Sequence, residues 1–303
     1  MSKWMKRTSV ALGALAVLAV ATALVGKYVG ERKLLRTVNV TVAPFAPTAP
    51  AGTPLLLEQG RYLFATRGCA DCHGASGAGK EVIRSGAMLV VSPNITTGAN
   101  SVTRTYSTED WVRTLRHGVK PNGRPIMIMP SEDYNRLTDD DVSAIIGYVR
   151  QLPPVPGTSR VIELPVAAKV LYAFGVVKDA YEMIDHSLPP EVPVKVEVSV
   201  AHGAYVAKTC IGCHGVTLSG GRIPGSPPEW PAPANLTPGS ESAMTRYPTP
   251  ASFAAMMRSG KRPDGSAISP VMPFGSLRQM TDTDLLALHS YLKTLPPRKA
   301  GGH

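Results

Sequence analysis

Cysteine and aromatic residues are scarce in this sequence. Only four of its 303 residues are cysteine, and Phe, Trp and Tyr together make up 6%. All four cysteines lie in two short motifs, residues 69–73 and 210–214, so none remains for a structural disulfide or a zinc site. Gly and Pro are plentiful, at 28 residues each, and the apolar content of 44% is ordinary. This composition favours compact, loop-rich domains whose core includes a group other than protein.

Each motif has the form Cys-x-x-Cys-His, which is the pattern for covalent attachment of c-type haem. The two thiols can add to the haem vinyl groups, and the adjacent imidazole can reach the iron. The attachment residues predicted in this way are Cys69, Cys72, Cys210 and Cys213, with His73 and His214 as axial ligands. One such motif alone could be a chance match or a redox dithiol. Two copies that use every cysteine predict two covalently bound haem c groups.

A methionine before proline follows each motif and is the candidate for the second axial ligand. Met129 lies 56 residues after His73, and Met272 lies 58 residues after His214. A methionine thioether raises the reduction potential of the iron and fills its sixth coordination position. Met127 is a rival in the first copy, but its counterpart in the second copy is a proline, which favours Met129.

These residues belong to an internal repeat of about 100 residues. Equivalent residues lie 141 to 143 positions apart, as in Gly60/Gly203, Asn94/Asn235, Gly118/Gly260, Met129/Met272 and Leu152/Leu295. The repeat divides the chain into an N-terminal anchor segment (1–36), a Pro/Ala-rich spacer (37–52), haem domain 1 (53–155), a linker with a helix (156–195), and haem domain 2 with a basic tail (196–303).

Helix signals recur at matching positions in both copies, and no strand pattern persists beyond a few residues. Thr138 and Thr281 each provide a hydroxyl N-cap with an acid three residues later. Apolar residues then recur at helical spacing until a Pro-Pro pair ends each helix. Further helices are predicted over 55–67, 108–117, 198–208 and 249–259, and a linker helix over 166–184. The sequence therefore predicts an all-α fold.

The net charge of +10 does not indicate a nucleic-acid partner. Residues 1–51 contain seven basic residues and one acid, whereas residues 52–155 contain eleven basic residues and ten acids. The excess charge therefore belongs to the N-terminal end and not to a haem domain. Within domain 1, Arg116, Lys120 and Arg124 are candidates to pair with haem propionates, and a solvated surface role is the alternative.

A charge-free apolar run extends from Thr8 to Gly26, after the basic residues Lys3, Lys6 and Arg7. Its nineteen residues are long enough for a single transmembrane helix. The basic start predicts a cytoplasmic N-terminus and an exported remainder. A cleavable export signal is the alternative, since small residues suited to cleavage occur over 19–23. Attachment of haem to such motifs takes place outside the bacterial cytoplasmic membrane, so we expect the haem domains in the periplasm.

The order of helix, Cys-x-x-Cys-His, Met-Pro and final helix resembles class I cytochrome c domains over residues 53–155 and 196–297. The whole chain resembles a membrane-anchored dihaem cytochrome c. Residues 92–96, 117–121 and 129–134 are similar to segments of the cytochrome subunits of bacterial membrane-bound dehydrogenases for alcohols, aldehydes and sugar acids. The resemblance implies two tandem domains, each with three main helices around its haem and one edge exposed for electron exchange.

These features together predict an electron-transfer protein and not an enzyme. The leading hypothesis is a membrane cytochrome facing the periplasm that relays single electrons from a respiratory dehydrogenase or quinol-oxidising complex to a downstream cytochrome or terminal oxidase. The alternative is a dedicated cytochrome subunit of a membrane-bound alcohol, aldehyde or sugar-acid dehydrogenase. A dihaem peroxidase is disfavoured, because its chemistry needs one iron with an open sixth position.

Overall fold

The computed structural model describes residues 3–48 and 52–301. In this part of the chain a long N-terminal helix precedes two helical domains of similar design, which are joined by a linker. The described part of the spacer predicted over 37–52 contains neither helix nor strand, and its residues 49–51 lie outside the described residues. The predicted all-α fold is confirmed in part, because the described residues are mostly helical but include a small sheet.

Helix α1 (Lys3–Leu34) contains the apolar run and extends beyond it at both ends. It is the one helix among the described residues that is long and apolar enough to cross a membrane. Its apolar side chains face outward, and Leu15 and Leu18 remain 62% and 63% exposed. The polypeptide therefore carries a long apolar surface that its own domains do not cover.

The four helices predicted over 55–67, 108–117, 198–208 and 249–259 begin and end within two residues of those bounds. Domain 1 contains α2 (Pro54–Thr66), α3 (Cys69–His73), α4 (Thr108–His117), α5 (Ser131–Tyr134) and α6 (Asp139–Gln151). The linker contains α7 (Val166–Ala173) and α8 (Ala180–Met183). Domain 2 contains α9 (Val200–Ala207), α10 (Ile211–His214), α11 (Pro250–Ser259), α12 (Phe274–Leu277) and α13 (Asp282–Leu292), with 3₁₀ turns at Lys208–Cys210 and Ala243–Arg246.

The first and last long helices of each domain cross at a glycine. A Cβ atom at Gly60 of α2 would stand 2.0 Å from the carbonyl oxygen of Ala144 in α6. Gly203 of α9 meets Ala287 of α13 at the same distance. No side chain fits at such a crossing, so glycine sets the close approach of the two helices. Each crossing closes one end of a separate apolar core.

The linker helix is shorter than predicted. Gly175 adopts a left-handed φ of 73° after α7, and α8 begins separately behind a capping box formed by Asp179. α7 packs against the C-terminal turns of α1, where a Cβ at Gly30 would stand 2.3 Å from the carbonyl oxygen of Lys169. The Lys169 ammonium also pairs with Glu31 at 2.7 Å. The end of α1 and the linker therefore form one packed unit.

A three-stranded antiparallel sheet corrects the prediction that the fold has no strands. β1 (Glu81–Ser85) pairs with β2 (Met88–Val91), and β2 pairs with β3 (Val161–Glu163) from the linker. Strands of three to five residues are too short to show a period in the sequence. One face of the sheet buries an apolar cluster that includes Ile83, Met88 and Val90. Trp230 of domain 2 packs against this cluster under the sheet. The sheet therefore contacts both domains.

Candidate haem sites

The first Cys-x-x-Cys-His motif forms the short helix α3, which is flanked by two glycines. Gly68 precedes it with a φ of 83°, and Gly74 follows it with a φ of 74°, values that residues with a side chain rarely adopt. The chain can therefore turn sharply on both sides of the motif. Within the helical turn, Cys69 and Cys72 lie on the same face because they are three residues apart. The second motif leaves α10 through Gly215, with a φ of 75°.

Both motif histidines are oriented by a backbone carbonyl. His73 Nδ1 lies 2.9 Å from the oxygen of Pro93, and His214 Nδ1 lies 2.8 Å from the oxygen of Ala234. A carbonyl can only accept, so Nδ1 carries the proton and Nε2 keeps the lone pair that binds a metal. Burial lowers the pKa of His73, although the Pro93 carbonyl opposes this shift. The ring is thus held in the neutral form that an iron ligand requires.

The loops that provide these carbonyls are held by the two repeated Asn-x-Thr segments. Asn94 Oδ1 accepts from the backbone N–H of Thr96 at 2.9 Å and from its hydroxyl at 2.8 Å. Asn235 and Thr237 form the same pair of bonds at the same distances. Both asparagines are buried. Their role is therefore structural, to fix the chain directly after each carbonyl that orients a histidine.

A cavity of about 520 Å³ lies beside the first motif. Cys72, His73 and Met129 line it together with apolar side chains such as Trp111 and Ile145. Its volume falls within the range of about 300–1,000 Å³ typical of cofactor pockets. Thiols, an imidazole and a thioether around an apolar cavity are the donor set and surroundings of a haem c. The residues of domain 1 therefore fit the group that the motif predicts.

Met129 and Met272 occupy equivalent backbone positions. Each is followed by a proline that precedes a one-turn helix, with φ and ψ of −78° and 71° at Pro130 and of −79° and 65° at Pro273. Each methionine packs against the core of its own domain. Met127 also lines the cavity but packs against the cluster under the sheet. Only Met129 thus has both the position and the packing of Met272.

Two cationic side chains line the cavity of domain 1. Lys120 was among the sequence candidates, whereas Arg160 reaches the cavity from the linker and has no signal in the repeat. Burial, with Arg160 and Arg124 close by, lowers the pKa of Lys120 to about 8. An anionic propionate here would relieve this repulsion. Arg116 lies elsewhere, buried and paired with Asp139 at 2.7 Å.

The other four histidines among the described residues have partners outside the two sites. His117 Nδ1 lies 3.0 Å from His186 Nδ1, and His202 Nε2 lies 2.7 Å from a carboxylate oxygen of Asp284. His289 Nε2 lies 3.0 Å from a backbone carbonyl oxygen. The structure brings none of them to an attachment motif, which leaves methionine as the candidate for the sixth position.

Comparison with known proteins agrees with this architecture. The family model for cytochrome c matches the chain twice, over residues 57–153 and 200–296. The chain is 28% identical to the fructose dehydrogenase cytochrome subunit of Gluconobacter japonicus over 298 residues, which cover 89% of this chain and 58% of that protein.

Two further relatives have related names. The chain is 25% identical to the cytochrome c subunit of the alcohol dehydrogenase (quinone) of Gluconobacter oxydans, over 87% of this chain and 60% of that protein. It is 24% identical to the gluconate 2-dehydrogenase cytochrome c subunit of Pantoea cypripedii, over 81% of this chain and 60% of that protein. The chain thus spans about three fifths of the length of these relatives.

Proposed function

Because the chain belongs to the cytochrome c family, we propose that it is the cytochrome subunit of a membrane-bound dehydrogenase. The observation that carries this proposal is the similarity to the cytochrome subunits of fructose, alcohol and gluconate dehydrogenases over 81% to 89% of the chain. The sequence analysis held this function as its alternative. It is better supported than the leading hypothesis of a free-standing relay to a terminal oxidase.

In this role each domain holds one haem c. The proposed attachment residues are Cys69 and Cys72 in domain 1 and Cys210 and Cys213 in domain 2. The proposed axial pairs are His73 with Met129 and His214 with Met272. Haem bound in this way supplies one-electron redox chemistry. The carbonyl-bound histidines, the matched Met-Pro segments and the apolar cavity of domain 1 support the assignment.

The side chains around each site would tune the group and would not react themselves. In each domain the motif histidine and the Met-Pro methionine would hold the iron, and the thioether would raise the reduction potential. The apolar wall of the cavity excludes water and disfavours the extra positive charge of ferric iron. Lys120 and Arg160 would neutralise propionates in domain 1. A histidine and a methionine that both bind the iron would favour electron transfer over peroxidase chemistry in each domain.

The same proposal places α1 in the cytoplasmic membrane and the two domains on its periplasmic side. The length, composition and outward-facing apolar side chains of α1 support an anchor. Lys33 and Arg36, which follow the apolar run, pair with Glu182 and Asp179 at 2.8 and 2.6 Å. These pairs would hold the domains at a fixed position next to the end of the helix.

Purification from native membranes in mild detergent tests the proposed partner. A tag at the C-terminus leaves α1 unchanged, and mass spectrometry identifies the proteins that remain bound. We expect the catalytic subunit of a dehydrogenase for an alcohol, a sugar or a sugar acid. If a quinol-oxidising complex or an oxidase is recovered and no dehydrogenase, the free-standing relay is the correct function instead.

A further inference from the structure

The two domains are joined by a pair of tyrosine contacts. The hydroxyl of Tyr62, in α2 of domain 1, donates to Asp284 Oδ2 at 2.7 Å and accepts the backbone N–H of Thr281 at 3.0 Å. Both partners lie at the start of α13 in domain 2. Tyr62 thus binds the capped N-terminus of the last helix of the other domain.

The reverse contact is made by the equivalent residues. The hydroxyl of Tyr205, in α9 of domain 2, donates to a carboxylate oxygen of Asp141 and accepts the backbone N–H of Thr138 at 3.1 Å. The three equivalent pairs, each 143 positions apart, are Tyr62/Tyr205, Thr138/Thr281 and Asp141/Asp284. The same surface is therefore used on both domains, as in a two-fold symmetric dimer. Tyr205 is buried within the core cluster of domain 1, so the contact is an integral part of the packing.

The two attachment motifs also meet at this interface. The backbone N–H of Gly212, inside the second motif, donates to Asp133 Oδ1 at 2.7 Å, and a Cβ at Gly212 would stand 3.2 Å from Pro130. On the other side, a Cβ at Gly275 would stand 2.9 Å from Asp71 Oδ1, inside the first motif. Each attachment motif thus contacts the segment that follows the Met-Pro pair of the other domain.

These crossing contacts are complementary in charge and size. Asp71 and Gly212 are equivalent in the repeat, as are Glu132 and Gly275. At both contacts domain 1 contributes an acid and domain 2 contributes a glycine: Asp133 faces Gly212, and Asp71 faces Gly275. Two copies of domain 1 would place acids against acids, so the pairing favours domain 1 with domain 2.

A buried ion pair strengthens the same interface. Arg67 of domain 1 contacts Asp284 of domain 2 at 3.0 Å, and the two side chains are 3% and 4% exposed. Asp284 also accepts from Tyr62 and contacts His202 at 2.7 Å. Separating the domains would expose this network to water but would also break charge-assisted bonds that are strong when buried. The interface therefore has the features of a permanent contact.

We propose that the two domains stay docked through this interface and that electrons pass directly between their haems across it, without either domain moving. With a haem held in each domain, the exchange would transfer a single electron and would break no bond and move no proton. Tyr62 and Tyr205 are positioning residues for this exchange. The inference rests on the proposed haem ligation but not on the identity of the dehydrogenase.

The test separates the domains with residues that the repeat itself provides. Gly212→Asp combined with Gly275→Glu gives domain 2 the acids that domain 1 carries at these positions, so acids face acids at both contacts. Domain 1 shows that the fold accepts them. In the purified holoprotein, a photoreductant donates one electron per molecule, and absorbance follows its redistribution between the haems. We expect the rate of electron exchange between the haems to fall by at least about tenfold, because the separated domains, joined only by the linker, must first meet by diffusion.

Circular dichroism in the Soret band provides a readout that does not depend on electron transfer. Two haems held close together give a split signal, and we expect the split to disappear in the double variant while the Met-to-iron absorption of each haem remains. Ser252→Asp is the matched control, because it adds the acid that domain 1 carries at the equivalent Asp110, inside a helix cap of domain 2. It should change neither signal.

A milder variant covers the case in which the double variant does not fold. Tyr62→Phe with Tyr205→Phe keeps both rings and removes the bonds to the two carboxylates, so exchange should slow by about threefold or more. If the rate and the split signal stay unchanged in this variant or in a folded Gly212→Asp/Gly275→Glu protein, the docked-exchange proposal is wrong. A missing dehydrogenase partner would not alter either result, and a missing haem would be evident from the intact mass.

Discussion

His73 Nδ1 lies 2.9 Å from the carbonyl oxygen of Pro93, and this hydrogen bond fixes which nitrogen of the ring faces the haem cavity. The second domain repeats the arrangement with His214 and Ala234. Because the acceptor belongs to the backbone, the bond depends on the fold of the loop and not on a replaceable side chain. Both histidines are thus held in the same way, which supports the proposal that each is an iron ligand with the methionine of its own domain.

The methionine assignments predict a specific change in the spectrum. Met129→Ala and Met272→Ala should each open one haem to carbon monoxide, remove half of the Met-to-iron charge-transfer absorption and lower the potential of that haem. Met127→Ala is the matched control, since its thioether lies close by but packs under the sheet. If Met127→Ala loses the absorption and Met129→Ala keeps it, Met127 and not Met129 is the iron ligand in domain 1.

The helix crossing in each domain predicts a large effect from one added methyl group. In Gly60→Ala the new Cβ meets the carbonyl oxygen of Ala144, so the free energy of unfolding should fall by at least about 2 kcal/mol. Gly147→Ala on α6 is the control, because its Cβ would stand 3.5 Å from the nearest atom. Urea unfolding of both variants measures the difference. Equal stability would show that the helices cross at some other point.

The contact between the buried His117 and the half-buried His186 predicts that the free energy of unfolding depends on pH. Burial, followed by the nearby His186, lowers the pKa of His117 from 6.5 to about 4; Arg116 and Arg113 act in the same direction. Between these pH values the unfolded chain binds a proton at this site and the folded chain does not. Stability is therefore lost as the pH falls from 6.5 towards 4, by up to about 3 kcal/mol from this residue.

Replacing His117 should remove that part of the pH dependence. Urea unfolding at pH 7 and pH 5 gives the free energy of unfolding of the wild type and of His117→Gln. The wild type should be the more stable protein at pH 7, and its advantage should be smaller at pH 5. Other acids titrate in both proteins and cancel in the comparison. A constant difference would mean that the folded protein accommodates a protonated His117.

The proposed membrane anchor predicts where the mature chain is found and how long it is. Leu15→Lys with Leu18→Lys places two charges in the apolar run, at a cost of about 2.5–3.5 kcal/mol each, and should release the protein from membranes. Leu35→Lys, which adds the same charge just after α1, should not. Intact mass of the wild-type protein gives the second readout. A soluble chain that lacks about twenty N-terminal residues would identify a cleaved signal instead.

Local sequence patterns were sufficient to predict features that depend on residues close together in the chain, such as helix caps. Thr138 and Thr281 cap their helices as predicted, with bonds to the N–H groups of Asp141 and Asp284. Pro250 occupies the first turn of α11, where its missing N–H costs nothing. The repeat also located both Met-Pro segments, because a duplicated spacing is visible without any knowledge of packing.

Features that depend on distant contacts were missed. β3 pairs with β2 across seventy residues of chain, and strands this short have no period to detect. The linker pattern over 166–184 continued through Gly175, whose positive φ ends the helix. The interface between the domains was also invisible, because Tyr62 and Tyr205 read as repeat markers and their partners lie in the other copy. Docking of the two domains leaves no periodic pattern in the sequence of either domain.

Anaerobic titration of the membrane complex with dehydrogenase substrates tests the central claim most directly. Alcohols, sugars and sugar acids are added in turn to oxidised membranes that contain the protein, and the haem c absorption is followed. We predict that one substrate class reduces both haems. When Cys210 and Cys213 are both replaced by alanine, the haem of domain 2 should be lost, and the same substrate should reduce only the haem of domain 1. If no such substrate reduces either haem while a quinol reduces both, the protein is not a dehydrogenase subunit.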